Sequence, residues 1–358
     1  MKPRVSLVLG SGGARGYAHI GVIEELEARG YEIASISGCS MGALIGGIYA
    51  AGKLDGYRDW VCQLDYFDVL RLVDITWSAM GAMRAGKVMT KLEALVGDIR
   101  IEDLPMPFTA VATDLSRQRE VWFQSGPLLR AIRASIAVPG IITPVQENGH
   151  VLVDGGLLNP LPIIPTVSVD ADIVLAVNAT AQTPTPVTLE ELLPADQAAQ
   201  EHAREIEREA EGQSFSGWLK NVRTRVQGMV SSFSDEEEAS ESASWSSQTE
   251  RAWSKLDMML ASFDITQAAL AKYKIAGYPP DILIEVPKSV CGAYEFHRAE
   301  ALIELGRYLA AQALDRHERQ RDRTSVAAEP ADGHRHPASS ADPQGRLPLP
   351  LSSPKRHG

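Results

Sequence analysis

Residues 5–16 read VSLVLGSGGARG, a mainly apolar run that leads directly into a loop rich in glycine. A short apolar run that ends in glycines predicts a buried strand, here over residues 5–9. Residues 17–29 then carry apolar side chains at helical spacing, and Gly30 follows where a helix would end. The stretch therefore predicts a buried strand, a glycine loop and a helix, in that order.

The same alternation of strand and helix continues along the chain. Residues 33–37 predict a second buried strand, and residues 41–51 predict a second helix. Strands that alternate with helices form a parallel sheet that is covered on both faces. We therefore expect an α/β fold. The further strands expected from short apolar runs lie at 108–113, 120–123, 151–153, 173–178 and 282–286.

The chain of 358 residues has a net charge of −11 and 44% hydrophobic residues. This hydrophobic content is sufficient for a sizeable core, and the negative charge argues against non-specific nucleic-acid binding, which needs a basic surface. The cysteines Cys39, Cys62 and Cys291 are too scattered for a disulfide framework or a zinc site, so we expect reduced thiols. No run approaches the ~18 apolar residues of a membrane span. We expect a cytoplasmic protein that contacts a membrane, if at all, peripherally at its inner face.

Ser40 stands in the pattern Gly38-x-Ser40-x-Gly42, between the strand predicted at 33–37 and the helix predicted at 41–51. In this context a sharp, strained turn lifts the serine hydroxyl above the sheet, and the small flanking residues let strand and helix approach without collision. The hydroxyl also lies at the positive end of the helix. Ser40 is therefore a candidate nucleophile.

The glycine loop at residues 10–16 allows two interpretations. A dinucleotide site needs Gly-x-Gly-x-x-Gly, but counted from Gly10 the third glycine is replaced by Arg15, and no Gly-Lys-Ser/Thr follows for a P-loop. The alternative is a backbone nest whose N–H groups converge on one anion. In an ester hydrolase that anion is the tetrahedral oxyanion, and the N–H of Met41 would add a donor. Arg15 would either stabilise the loop or attract an anionic head group, and the sequence leaves both open.

A histidine base is poorly supported by the residues. A Ser-His-Asp triad in the chain order serine, acid, histidine needs a late histidine. His297 and His317 qualify by position, yet neither stands in a tight loop marked by glycine. His19 lies in the first predicted helix, close to the glycine loop, and is typical of a structural histidine.

Asp154 is the alternative base. It follows the strand predicted at 151–153 and opens Asp154-Gly155-Gly156, a turn that presents a carboxylate at the end of a strand. Because an aspartate normally titrates near ~3.9, its pKa would have to be raised by burial among apolar neighbours, or much of the catalysis left to the oxyanion hole.

The glycine loop at 12–16, the serine pattern at 38–42 and the Asp-Gly-Gly turn at 154–156 together resemble the bacterial patatin-like phospholipases, in the branch related to neuropathy target esterase. The similarity extends to the segments at 112–115 and 131–140 and, more loosely, to 262–265 and 275–278. It covers about residues 4–180 and 255–310.

This resemblance implies a three-layer α/β/α patatin-like fold with a mostly parallel central sheet, and it implies neither a metal nor a cofactor. It implies that Ser40 is the nucleophile and Asp154 the proton acceptor, without a catalytic histidine. The oxyanion hole would be formed by the backbone of Gly12, Gly13, Ala14 and Arg15.

The expected function is that of a serine acyl hydrolase that cleaves fatty-acyl esters of phospholipids or lysophospholipids through an acyl-enzyme. Two alternatives stay open. The same acyl-enzyme would serve an acyltransferase, which passes the acyl group to an alcohol or thiol instead of water. A protein that keeps the fold and binds lipid without turnover would be a regulatory or scaffold protein.

The chain is expected to consist of a catalytic domain at 1–315, interrupted by an insert at 181–254 and followed by a disordered tail at 316–358. Within the insert, residues 215–233 carry apolar side chains at helical spacing and predict an amphipathic helix. This helix would either lie on an anionic membrane surface or pack on the catalytic domain as a lid or core helix. The acidic segments that flank it weigh against membrane docking.

Overall fold

The computed structural model describes residues 2–72, 85–201, 203–204 and 255–328. The amphipathic helix expected at 215–233, most of the insert and the tail after residue 328 lie outside these residues. One eight-stranded sheet organises the described part of the chain. Its strands are β1 (Arg4–Leu9), β2 (Glu32–Cys39), β3 (Phe108–Asp114), β4 (Arg119–Phe123), β5 (Val145–Glu147), β6 (His150–Asp154), β7 (Ile173–Ala181) and β8 (Ile282–Pro287).

The helices occupy the segments between the strands, as the alternating pattern predicts. None of those in the described ranges combines the length and the apolar character needed to cross a bilayer. They are α1 (Ala18–Ala28), α2 (Met41–Ala50), α3 (Leu54–Cys62), α4 (Tyr66–Leu72), α5 (Gly86–Val96), α6 (Leu128–Ser135), α7 (Leu189–Leu192), α8 (Lys255–Gly277) and α9 (Ala299–Ala328).

The sheet is mostly parallel. Strands β3, β2, β1, β7 and β8 run in one direction and pair in that order. Antiparallel pairing is confined to one side of the sheet, where β4 and β6 pair with β3 and β5 pairs with β6. The predicted α/β class and the mostly parallel central sheet are therefore confirmed.

Both faces of the sheet are covered, which explains why β1 reads as an almost continuous apolar run. Successive side chains of a strand point to opposite faces. Leu7 and Leu9 belong to the large core cluster that includes buried residues of α1, α2 and α9. Val8 belongs to a second cluster, where it is joined by Ala176 of β7 and Ala271 of α8.

Strands β2 and β6 end head to head on the same side of β3. Ala112 of β3 pairs with Val121 of β4 on one side and with Asp154, the last residue of β6, on the other. Val111 pairs in the same way with β4 and with Cys39, the last residue of β2. The ends of β2 and β6 therefore meet at neighbouring residues of β3. The residues that follow the two strands start close to each other in space.

Three features differ from the sequence-based expectations. The short strand β5 was not predicted. The expected tail boundary at residue 316 falls inside α9, which continues to Ala328. The first residues of the expected insert pack on the main fold, since Leu189 and Leu193 are buried in the large core cluster.

A close approach of α2 to β1 depends on Gly42. A Cβ atom at this position would overlap the Leu9 carbonyl group and lie 2.8 Å from the Gly10 carbonyl oxygen. We expect Gly42→Ala to lower the free energy of unfolding by about 1–3 kcal/mol, the usual cost of overpacking a core, as measured by denaturant unfolding. Gly277→Ala is the matched control because a Cβ there meets nothing within 4 Å. Equal stability of the two variants would contradict this account of the α2 packing.

Candidate active site

Ser40 lies at the turn between β2 and α2, as predicted. Its backbone adopts φ 55° and ψ −121°, a left-handed conformation that is rare for a residue with a side chain. A Cβ at Gly38 would lie 2.6 Å from the Cα of Ala43, so only glycine fits where strand and helix meet. Such strain persists only where the surroundings enforce it, and it clusters at functional sites.

The hydroxyl of Ser40 donates a hydrogen bond to Asp154, with 2.5 Å between Oγ and Oδ2. Both residues are buried, Ser40 with 6% and Asp154 with 0% of its surface exposed. The two side chains meet because β2 and β6 end head to head on neighbouring residues of β3. The structure thus brings together the predicted nucleophile and the predicted base.

The carboxyl group of Asp154 is held from two further directions. Oδ1 accepts a hydrogen bond from the N–H of Gly156 at 2.7 Å, and the thiol of Cys39 lies 3.9 Å from the same oxygen. Burial raises the pKa of Asp154 to about 7, against the lowering effect of these hydrogen bonds and of the one from Ser40. The pKa of Asp154 is therefore shifted in the direction that a proton acceptor at this position would need.

Two of the three histidines considered from the sequence, His297 and His19, have other contacts. The ring of His297 packs edge to face on Tyr66. His19 is completely buried, and its Nε2 lies 2.8 Å from the carbonyl oxygen of Gly10. Burial lowers the pKa of His19 to about 4, opposed by that hydrogen bond, so the ring is neutral at pH 7 and Nε2–H donates to Gly10. This histidine holds the glycine loop in place.

The glycine loop itself is the candidate oxyanion hole. Gly13 adopts φ 58°, and a Cβ there would overlap the carbonyl oxygen of Ala293. The N–H groups of Gly12, Gly13 and Met41 have no acceptor within the described ranges of the chain. The N–H of Ala14, also expected among the donors, instead donates to Ala293 at 2.8 Å. The structure therefore leaves three of the five expected donors available and removes Ala14 from the set. The fifth, the N–H of Arg15, belongs to the 3₁₀ turn Gly13–Tyr17.

Arg15 is a structural residue of this loop. Its side chain is almost fully buried, and Nε donates to the carbonyl oxygen of Gly12 at 3.1 Å. The guanidinium also donates to the carbonyl of Lys288, just after β8, and to the carboxylate of Asp264 on α8. Of the two roles considered from the sequence, the geometry favours stabilisation of the loop.

Ser135 and Gln267 are the site residues that sequence reasoning missed. Ser135 is completely buried, and its Oγ accepts a hydrogen bond from the N–H of Ser40 at 2.9 Å. Gln267 of α8 is buried against Gly156, where an added Cβ would overlap its amide nitrogen. Ser135 belongs to the segment at 131–140 whose resemblance was noted, but nothing in that segment alone indicates a contact with Ser40.

The chain is similar to known proteins of one family. A family model described as patatin-like phospholipase matches residues 7–167. An NTE family protein of Mycobacterium tuberculosis is 42% identical over 346 residues, which cover 91% of this chain and 95% of the relative. Lysophospholipase nte1 of Emericella nidulans is 32% identical over 182 residues, 49% of this chain and 12% of that protein.

Human patatin-like phospholipase domain-containing protein 6 is similar over a comparable region. It is 32% identical over 186 residues, which cover 50% of this chain and 13% of the human protein. The similarity to the mycobacterial relative, by contrast, extends over nearly the whole length of both chains. On this basis the chain belongs to the patatin-like phospholipase family, in its NTE branch.

Proposed function

We propose that this protein is a serine acyl hydrolase that cleaves fatty-acyl esters of phospholipids or lysophospholipids through a Ser40–Asp154 dyad. The observation that carries the proposal is the direct hydrogen bond of 2.5 Å between the Ser40 hydroxyl and a buried carboxylate. A serine becomes an effective nucleophile when a base within hydrogen-bond reach takes its proton, and Asp154 occupies that position.

In the first half of the reaction, Ser40 Oγ attacks the ester carbonyl carbon while its proton passes to Asp154. The carbonyl oxygen becomes an oxyanion, which the free N–H groups of Gly12, Gly13 and Met41 would stabilise. Asp154 then returns the proton to the departing alcohol oxygen as the carbon–oxygen bond breaks. The products are an alcohol and an acyl group bound to Ser40.

In the second half, Asp154 takes a proton from water, and the resulting hydroxide attacks the acyl-enzyme. Collapse of the second tetrahedral intermediate releases the fatty acid, and Asp154 gives its proton back to Ser40. A carboxylate with an ordinary pKa would be a weak base for both steps. Because burial raises the pKa of Asp154 to about 7, its ionised form accepts a proton readily near neutral pH.

The substrate class is inferred from family membership. The matching family model describes phospholipases, and a relative similar over half of this chain is named a lysophospholipase. A glycerophospholipid ester supplies the acyl carbonyl and the alcohol leaving group that the mechanism needs.

Labelling with a fluorophosphonate probe tests the dyad, because such probes react with activated serines. We expect wild type to be labelled, Ser40→Ala not to be labelled, and the labelling rate of Asp154→Ala to fall by about 10²–10⁴-fold, the usual contribution of a general base. Glu285→Gln, which removes an exposed carboxylate on β8, is the matched control and should behave as wild type. Wild-type labelling rates in Asp154→Ala would refute the assignment of the base.

The substrate class is tested with the same proteins on phosphatidylcholine vesicles and lysophosphatidylcholine micelles, with free fatty acid measured by mass spectrometry. Release that depends on Ser40 supports the hydrolase. If added glycerol instead collects the acyl group while little free fatty acid forms, the acyl-enzyme belongs to a transferase.

The rate of the reaction should depend on the ionisation of Asp154. Only the carboxylate accepts the Ser40 proton, and burial raises the pKa of this group to about 7. We therefore expect kcat/KM for a soluble ester to rise with pH, with a midpoint near 7, and to level off above it. A midpoint near the ordinary aspartate value of ~4 would show that the carboxyl group is not the titrating base.

The free energy of unfolding should depend on the same ionisation, but in the opposite direction: ionisation of Asp154 favours activity and lowers stability. The folded chain binds the Asp154 proton more tightly than the unfolded chain, whose carboxyl titrates near 3.8. Between these two pKa values the folded state carries more protons, so its free energy of unfolding falls as pH rises. We expect the stability of Asp154→Asn relative to wild type to increase from pH 4 to pH 7, measured by denaturant unfolding. A difference that is independent of pH would contradict the raised pKa.

A further inference from the structure

The hydroxyl of Ser135 bridges the point where β2 and β6 meet on β3. Its Oγ accepts the N–H of Ser40 at 2.9 Å and donates to the carbonyl oxygen of Val111 at 2.6 Å. Val111 is the β3 residue that pairs with Cys39, the last residue of β2. The backbone of the nucleophile is thus joined to the central sheet through a side chain from a different helix.

The carboxyl end of α6 holds both members of the dyad. Ser135 is the last residue of α6 and contacts the backbone of Ser40. Two residues later, the carbonyl oxygen of Ala137 accepts the N–H of Asp154 at 2.9 Å. One short segment therefore binds the backbone N–H of both Ser40 and Asp154, the first through a side-chain hydroxyl and the second through a backbone carbonyl.

Such support matters because the backbone of Ser40 is strained. A residue with φ 55° keeps that conformation only where its surroundings enforce it. Removal of the Ser135 hydroxyl would leave the Ser40 N–H and the Val111 carbonyl without the bonds they now make, in a buried environment where unpaired polar groups are costly. The turn could reduce that cost by relaxing, and Ser40 Oγ would then move relative to Asp154 and the oxyanion donors.

We propose that Ser135 is a positioning residue for the nucleophile: its hydroxyl fixes the Ser40 turn on the sheet and thereby sets the rate of acylation. The proposal rests on the serine hydrolase function proposed above. The hydrogen bonds to the Asp154 carboxylate come from Ser40, Gly156 and Cys39 and not from Ser135. Ser135 should therefore affect how often Ser40 is correctly placed and leave the ionisation of the base unchanged.

The test compares Ser135→Ala with Ser37→Ala. Ser37 is also buried and lies three residues before the nucleophile, but its hydroxyl has no hydrogen-bond partner in the described part of the chain. We expect the second-order rate of fluorophosphonate labelling, and kcat for a soluble ester, to fall by about 10²-fold in Ser135→Ala, as for a misplaced catalytic group. The KM, the final labelled fraction and the pH midpoint should match wild type, and Ser37→Ala should keep the wild-type rate.

The outcomes separate the two proposals. If wild type is not labelled at all, the serine hydrolase function fails. If wild type is labelled and Ser135→Ala is labelled at the same rate, the positioning role is wrong and the hydrolase stands. A lower labelled fraction at an unchanged rate would mean that Ser135 only supports folding, which also overturns the proposal.

Ser135→Cys provides the second variant in case the alanine variant does not fold. It keeps the shape of the buried side chain, with a larger sulfur in place of oxygen, and replaces the hydroxyl by a weak donor and acceptor. A slow rate with full labelling supports the positioning role, and a wild-type rate contradicts it. Ser135→Thr, which retains the hydroxyl, should recover most of the rate.

Discussion

The burial of the Asp154 carboxyl group beside the Ser40 hydroxyl is the constraint on which the site depends. An ionised group in an apolar interior is unfavourable, and here burial raises the pKa to about 7 instead of being offset by a buried cation. The same burial that makes the carboxylate costly makes it basic. A fold that relieved this cost with a lysine or arginine next to Asp154 would lower the pKa and remove the base.

The sheet topology brings Ser40 and Asp154 into direct contact, with no third side chain between the two atoms that form the hydrogen bond. A serine at the end of a parallel strand and an aspartate at the end of an antiparallel strand come into direct contact because both strands stop against neighbouring residues of β3. The distance between the side chains is thus set by the backbone. Where β6 ends against β3, the backbones approach so closely that only glycine fits: a Cβ at Gly155 would overlap the carbonyl of Val111.

Much of this arrangement could be predicted from the sequence, because its signals are local. The strand that ends at Cys39 and the glycines that flank Ser40 lie within a few residues of that serine, and the Asp-Gly-Gly turn directly follows the strand that ends at Asp154. The strand β5 also had a local signal that was overlooked. Asn148 and Gly149, both with positive φ, form the two-residue turn between β5 and β6, and Asn-Gly is typical of such hairpins.

Contacts between distant segments could not be predicted, because no sequence pattern records them. The N–H of Ala14 is occupied by the carbonyl oxygen of Ala293, and the N–H of Ser40 is bound by the hydroxyl of Ser135. Both partners lie far away in the sequence. The helix α9 continues to Ala328 through polar residues that pattern analysis assigned to a tail. Arginine, glutamate and glutamine are good helix formers without any apolar periodicity, so propensity was the relevant signal there.

The contacts that hold the glycine loop bear on how much of the chain is needed to form the site. Residues 7–167, the region matched by the family model, contain all three sequence motifs. The groups that hold the loop lie far beyond it, at Asp264, Lys288 and Ala293. A fragment defined by motif boundaries would therefore carry Ser40 and Asp154 and still lack the groups that hold the glycine loop, so the proposed activity would need the chain to continue past β8.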